Sequence, residues 1–292
     1  MDRDDKSMDK ISVYIIAYNQ ADKIEAALKS VQWADEIVVA DSFSTDATAQ
    51  ISEQYNAKVV QIPFNGFGDL RNKAIEACSH KWIFSLDTDE RCTPEAEDEI
   101  LSIINLHNSK SCTNKNSTQG SKNKNSACSS DSLYELYYVP RKNFFMGRWI
   151  RHSGYYPDYR QPQLFKKGTL VFKPDPVHES YEIISKKGAG YLKSPIHQIP
   201  YKDLEEMIAK KNRYSTLGSD KLLAQQNPSK SGKSSMTDAL MHGIWSFIRT
   251  YIIKLGFLDG WAGFVIALGN FEETFYKYAK FHVKTSSSKY HN

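Results

Sequence analysis

Short apolar runs alternate with amphipathic stretches through roughly the first hundred residues, which is the sequence form of repeated βα units. Residues 11–17 (ISVYIIA), 36–40 (EIVVA), 58–62 (KVVQI) and 81–86 (KWIFSL) read as strands. Between them apolar residues recur at helical spacing. Ile24, Ala27, Leu28 and Val31 share a face over 21–33, and Leu70, Ala74 and Ala77 share one over 69–78. After a cap at Ser44 or Thr45, Ala47, Ile51 and Tyr55 form a third inward face. Thr93 and Pro94 open a further helix, because threonine caps and proline suits the first helical position. The pattern predicts an α/β fold with a Rossmann-like, mostly parallel sheet flanked by helices.

The pattern stops at 109–130, where lysine, asparagine, serine and threonine dominate and no aromatic or branched aliphatic residue occurs. Such a stretch cannot bury enough surface to offset its ordering entropy, which predicts a disordered insertion. Extended structure resumes at 134–140, 163–165 and 170–172. A second polar stretch, 225–235, reads as a linker between a main domain over 1–224 and a helical C-terminal extension over 236–292. No internal repeat is present.

The extension is dense in aromatic residues, among them Trp245, Phe247, Tyr251, Phe257, Trp261, Phe264 and Phe271. A bilayer span takes on the order of 20 apolar residues in a row. Arg249, Lys254 and Asp259 interrupt every such run. Aromatics alternating with Arg249, Lys254, Lys277, Lys280 and Lys284 suit helices lying in a membrane interface, apolar face down. The alternative is a helical pair packed on the main domain or on another subunit.

Composition changes this picture little. With 40% apolar and 25% charged residues in 292, the chain is of ordinary globular make-up, and a net charge of +4 is too mild to argue for nucleic acid. The four cysteines, Cys78, Cys92, Cys112 and Cys128, lack CxxC spacing, so neither a disulfide framework nor a zinc site is expected. Residues 1–10 are charged throughout and lack the apolar centre of a secretory signal, which predicts a cytoplasmic protein with reduced thiols.

The sharpest chemical signal is the run from Trp82 to Glu90, an apolar strand ending in Asp87-Thr88-Asp89-Glu90. Asp-x-Asp on an extended chain places two carboxylates on one side, at the carboxyl edge where open α/β sheets bind ligands. Paired oxygen ligands suit a hard divalent ion, Mg2+ or Mn2+, which completes its shell with water and substrate phosphates. A calcium loop fits poorly, since Arg91 and Cys92 would occupy its fifth and sixth positions. A solvated acidic turn is the plain alternative. Asp41 ends the second strand at the same edge, where a carboxylate accepts hydrogen bonds from a base or ribose, or caps its own turn. Arg71 is expected near that edge, able to contact base or diphosphate through its planar fork, or to be a solvated surface charge.

Taken in order, Tyr18-Asn19, Asp41-Ser42-Phe43-Ser44-Thr45-Asp46, Arg71-Asn72-Lys73-Ala74 and Leu86-Asp87-Thr88-Asp89-Glu90 resemble the family 2 glycosyltransferases of the GT-A fold. The similarity is closest to the bacterial lipopolysaccharide core glucosyltransferase branch. It continues through the stretch from Asn143 to His152, Tyr156-Pro157-Asp158-Tyr159, Pro176-Val177-His178-Glu179, Arg249-Thr250-Tyr251 and the run from Gly256 to Gly260. The resemblance implies an inverting hexosyl transfer from a nucleotide diphosphate sugar, with a UDP-sugar as donor and a lipid-linked saccharide as acceptor. It implies nucleotide contacts at Tyr18, Asn19, Asp41, Arg71 and Asp87, with Asp87 and Asp89 around the metal and diphosphate. Inversion needs a base for the acceptor hydroxyl proton. Glu179 is the candidate, and His178 is either that base or a group approaching the metal. The implied location is the inner face of the bacterial cytoplasmic membrane.

Two positions depart from the family. Gln20 stands where an acid is common after Tyr-Asn, and Gln163 stands where arginine is common before Leu-Phe, with Arg160 nearby in sequence. These departures keep open a membrane-surface glycan-binding protein with a decayed catalytic domain. A sugar nucleotidyltransferase would show a glycine-rich basic loop after the first strand, which Tyr18-Asn19-Gln20-Ala21 is not. Gly232-Lys233-Ser234 is no P-loop, since Asn227 holds the place of the earlier glycine and no strand precedes it.

Overall fold

The computed structural model describes residues 9–113, 133–173, 180–225 and 235–287. The predicted alternation appears as β1 (Ile11–Ala17), α1 (Ile24–Lys29), β2 (Glu36–Asp41), α2 (Thr48–Gln54), β3 (Lys58–Gln61), α3 (Phe67–Ala77) and β4 (Trp82–Asp87). A short β5 (Glu90–Arg91) and a long α4 (Pro94–Thr113) follow. Next come β6 (Leu136–Tyr138), β7 (Arg141–Phe145), β8 (Arg148–Trp149), β9 (Pro162–Lys166) and β10 (Leu170–Phe172). The last strands are β11 (Tyr181–Ile183), β12 (Gly190–Tyr191) and β13 (Ile196–Gln198). Helices α5 (Leu204–Ala224), α6 (Met236–Ile248) and α7 (Gly260–Ser287) close the chain.

By contact the chain falls into two units, one of Met1–Arg141 and Tyr159–His197, the other of Lys142–Asp158 and Gln198–Asn292. Helix α5 therefore groups with the C-terminal helices rather than with the main domain, because its contacts are with α7. Residues 226–234 of the expected linker lie outside the described residues.

In the first unit a seven-stranded sheet runs in the order β12-β6-β9-β4-β1-β2-β3. Strands β4, β1, β2 and β3 are parallel, and β9 lies antiparallel to both β4 and β6. Alternation along the strands buries both faces. Val13, Ile15, Phe84 and Leu86 join α1 and α4 on one side, while Tyr14, Val38 and Ile83 meet Leu70 and Ala74 of α3 on the other.

Three local expectations are corrected. Helix α2 starts at Thr48 and buries Thr48 and Ser52, while Ala47 is exposed. Its cap is the Asp46 side chain, which accepts from the Thr48 amide at 3.0 Å and also from the Ala21 amide at 3.0 Å, because Ser44 is engaged elsewhere. Helix α3 begins at Phe67, directly after Gly66. Helix α4 runs on to Thr113, so 109–113 is helical rather than part of an insertion, and 114–130 lies outside the described residues. Ser109 returns its hydroxyl to the Asn105 carbonyl at 2.7 Å, and a polar turn added to an existing helix escapes the nucleation cost.

The second unit packs Phe145, Ile150, Met207, Ala262 and Ile266 into a small core. Buried Lys211 of α5 bonds Asn270 at 2.8 Å and Glu273 at 2.9 Å on α7. A capping box between Ser235 and Asp238 starts α6. The α6–α7 junction is a π-helical turn (Arg249–Ile253), Leu255 in the left-handed region at φ 56° and a 3-10 turn (Gly256–Asp259). The backbones touch there, since a Cβ on Gly263 would lie 1.8 Å from the Gly256 carbonyl oxygen. Among the described residues no single helix is long and apolar enough to cross a membrane, and the α6–α7 pair is bent by 70°.

Candidate active site

Strands β2 and β3 lie on one side of β1 and β4 on the other, so the strand order reverses at the carboxyl end of β1. Open α/β sheets bind ligands at such a switch point. Register brings the predicted residues level there, with Ala17 opposite Asp41, Ile16 opposite Asp87 and Asp41 opposite Gln61.

The loop after β1 is sewn to the loop after β2. Asn19, at φ 51°, donates its amide to Ser44 Oγ at 2.8 Å and accepts the Thr45 amide on Oδ1 at 2.8 Å. Asparagine tolerates that left-handed conformation better than most residues. The Gln20 amide reaches Thr48 Oγ1 at 2.8 Å. Gln20 also touches the acidic segment, for its Oε1 accepts from Thr88 Oγ1 at 3.2 Å. An acid at position 20 would accept that bond equally, so the departure from the family leaves this link intact.

Asp41 is fully buried. Its carboxylate accepts from the Ser44 amide at 3.0 Å, from Ser44 Oγ and from Gln61 Nε2 at 2.9 Å. At this edge it organises its own turn, and that turn presents Phe43, at φ 59°, to solvent. Tyr18, Phe43 and Phe64 follow β1, β2 and β3 in turn and are each more than half exposed, so the expected contact residue Tyr18 is joined by two further aromatic rings. Phe64 meets Phe67 edge to face at 5.1 Å.

Arg71 is not a surface charge, being 2% exposed. It donates to Ser85 Oγ at 3.2 Å and to Asp87 at 3.0 and 3.4 Å, and its guanidinium lies over the Phe172 ring at 5.6 Å. Burial pushes the neighbouring Tyr14 phenol up, with the Arg71 charge pulling the other way. Its neighbour Asn72 clamps the Phe172 backbone, donating to its carbonyl at 2.8 Å and accepting its amide at 3.0 Å. His178 and Glu179, a few residues beyond β10, lie outside the described residues.

The chain does not stay extended through Asp-Thr-Asp. It turns at Thr88 and Asp89, and the Asp87 amide donates to Glu90 Oε2 at 3.0 Å, so the alternation expected to align the two carboxylates does not apply. Asp87 faces α3 with Ser85, and Asp89 sits half-buried in the turn, within the field of Arg91. Burial lowers the Arg91 pKa, while Asp89 and Glu90 oppose that shift. Both Asp87 oxygens are within reach of Arg71, so a cation at this turn would share that carboxylate with a guanidinium. A turn that carries two carboxylates suits a cation that takes one or two of them and completes its shell from water and a diphosphate. Among the described residues no group of three or more His, Cys, Asp or Glu side chains is gathered around a cation position.

Behind the turn is a buried group to which the sequence reading gave no role. Glu90, fully buried, accepts from Arg141 Nε at 2.5 Å, Gln163 Nε2 at 2.9 Å and the Asp87 amide. Gln163, also fully buried, bonds the Ser85 carbonyl at 3.1 Å. Arg141 already neutralises Glu90, so a neutral amide at 163 meets the need that a second cation would overfill. A signal was available in Arg141, a charge placed directly after the apolar run at 137–140. Burial pushes the Cys78 and Cys92 thiols up to about 12, which makes them poor nucleophiles.

Residues 12–109 match the profile of Glycosyl transferase family 2. An uncharacterised glycosyltransferase of Rickettsia felis is 27% identical over 88% of this chain and 84% of its own length. The lipopolysaccharide core biosynthesis glycosyltransferase LpsC of Rhizobium meliloti is 24% identical over 88% of this chain and 86% of its own. Glucosyl-3-phosphoglycerate synthase from Mycobacterium tuberculosis, solved with Mn2+ and UDP, is 28% identical over 29% of this chain, with a TM-score of 0.27. The matched part is 35% of that enzyme's chain. The profile match begins in β1 and ends in α4, so it takes in the ends of β1, β2, β3 and β4 that build this edge, and it is this part of the chain that is similar to glycosyl transferase family 2.

Proposed function

We propose that this chain is a family 2 glycosyltransferase that moves a hexose, with inversion, from a UDP-sugar to a lipid-linked saccharide such as lipopolysaccharide core. The observation that carries the reading is the Asp87–Asp89 turn at the switch point, with Asp87 pinned by buried Arg71 and Asp89 half-buried in the turn. Tyr18 and Phe43 offer ring faces to the base, with Asn19, Asp41 and Arg71 shaping the floor beneath it. Asp89 holds the divalent ion, and Asp87 orients toward the ribose and diphosphate. When bound, Mg2+ or Mn2+ supplies positive charge to a departing diphosphate. Glu179 takes the acceptor hydroxyl proton, and His178 is the alternative base.

The lipid-linked acceptor is supported by the relative named for lipopolysaccharide core biosynthesis, which aligns along most of both chains. The exposed apolar residues of the C-terminal helices support action at the inner surface of the cytoplasmic membrane. The test is Asp89→Ala. UDP-sugar turnover in Mn2+ or Mg2+ should fall by roughly three orders of magnitude, in line with the several kcal/mol a bound cation supplies, with far-ultraviolet circular dichroism unchanged. Full turnover in that variant removes the metal assignment.

A further inference from the structure

We infer that the second unit carries a composite surface for anionic lipid, in which the α6–α7 junction supplies apolar side chains and the β7–β8 hairpin supplies part of a cationic rim. The inference rests on the membrane-acting reading above and names the partner of that surface.

Around the junction Ile252, Ile253, Phe257, Leu258 and Trp261 are each roughly half exposed. Soluble monomers rarely leave a contiguous apolar patch of more than a few hundred Å2 open to water. Four cations accompany these residues: Arg249 and Lys254 from the junction and Arg148 and Arg151 from the hairpin segment, all exposed. The junction's own acid, Asp259, is 3% exposed and adds no open negative charge.

Asp259 is what makes the two segments one surface. Its carboxylate accepts from the Arg151 amide at 3.1 Å, the His152 amide at 3.1 Å and Ser153 Oγ at 3.0 Å, with His152 Nδ1 at 3.1 Å. The Ser153 amide donates to the Lys254 carbonyl at 2.8 Å, and Phe145 packs on Trp261 at 6.1 Å between ring centroids. Arg148 comes to the same place, for a Cβ on Gly260 would lie 3.2 Å from its Nη1. Segments separated by about a hundred residues thus present arginine around a shared apolar tip.

Charge decides the occupant. A second copy docked by two-fold symmetry would set this rim against itself, whereas anionic headgroups complement it. Aromatic and apolar side chains bordered by Lys and Arg are the composition of a segment lying at the headgroup–acyl boundary. At the junction the chain bends by 70°.

The full chain is floated with phosphatidylcholine vesicles, with and without phosphatidylglycerol. It should bind only the anionic vesicles and be released by salt and by alkaline carbonate. Arg148→Gln with Arg249→Gln should weaken binding roughly thirtyfold. Ile253→Glu with Leu258→Glu should abolish binding while UDP-sugar hydrolysis in solution stays unchanged. The proposal is overturned if the wild type ignores both vesicles, binds neutral ones equally, resists carbonate, or forms a dimer that the double glutamate variant dissociates. Binding as expected alongside equal transfer to water-soluble saccharides upholds the surface and removes only the lipid-linked acceptor.

Discussion

Glu90 has no exposure to solvent, yet Arg141, Gln163 and the Asp87 amide converge on it. Removing one partner of a buried ion pair leaves the other charge desolvated, at a cost of about 3–5 kcal/mol. Glu90→Ala should lose stability on that scale in urea unfolding, and a loss below about 1 kcal/mol would show that Arg141 finds another partner. The contrast with Asp87 and Asp89 explains what is legible at this scale. Their placement follows from a strand ending, which local pattern reveals. The role of Glu90 depends on residues 51 and 73 positions away, which no local pattern contains.

Helix α3 does more than cover the sheet. A Cβ on Gly68 would sit 2.1 Å from the Lys173 carbonyl oxygen, so only glycine permits this approach of α3 to the chain leaving β10. Asn72 then grips the Phe172 backbone from both sides. Asn72→Ala would leave a donor and an acceptor of a buried residue unpaired, costing about 1–3 kcal/mol. Because 174–179 follows directly, the same variant should lower turnover while UDP affinity by calorimetry holds. Wild-type turnover would mean that the clamp does not govern that segment. The strands were legible because apolar runs of this length have few alternatives. The starts of α2 and α3 were not, since Asp46 and Gly66 act through contacts and backbone angles that compete with nearer capping signals.

At the scale of the whole molecule, His107 ties stability to pH. Lys166 can only donate, so His107 Nδ1 accepts from it at 3.0 Å, and Nε2 donates to the Tyr134 carbonyl at 2.9 Å. The folded protein therefore holds this ring neutral, and burial, then the Lys166 charge, push its pKa below the ordinary 6.5. The unfolded chain takes up that proton near 6.5 and the folded chain resists it. Stability from this group is present above 6.5 and is lost as the pH falls below it. Urea midpoints on either side of 6.5 should drop in acid for the wild type, and His107→Gln should flatten the drop. Equal slopes would assign the effect to another group.

By itself the sequence determined the α/β class, the four parallel strands and the edge at which Asp41, Asp87 and Asp89 emerge, because strand and helix periodicity are written locally. Tertiary structure alone decided which donors those carboxylates meet. Asp41 is taken up by Ser44 and Gln61, and Asp87 by an arginine sixteen positions away, since strand register and the packing of α3 bring those donors together. It also decided which aromatic residues of the C-terminal region are half-buried and which face solvent, a distinction that composition cannot make.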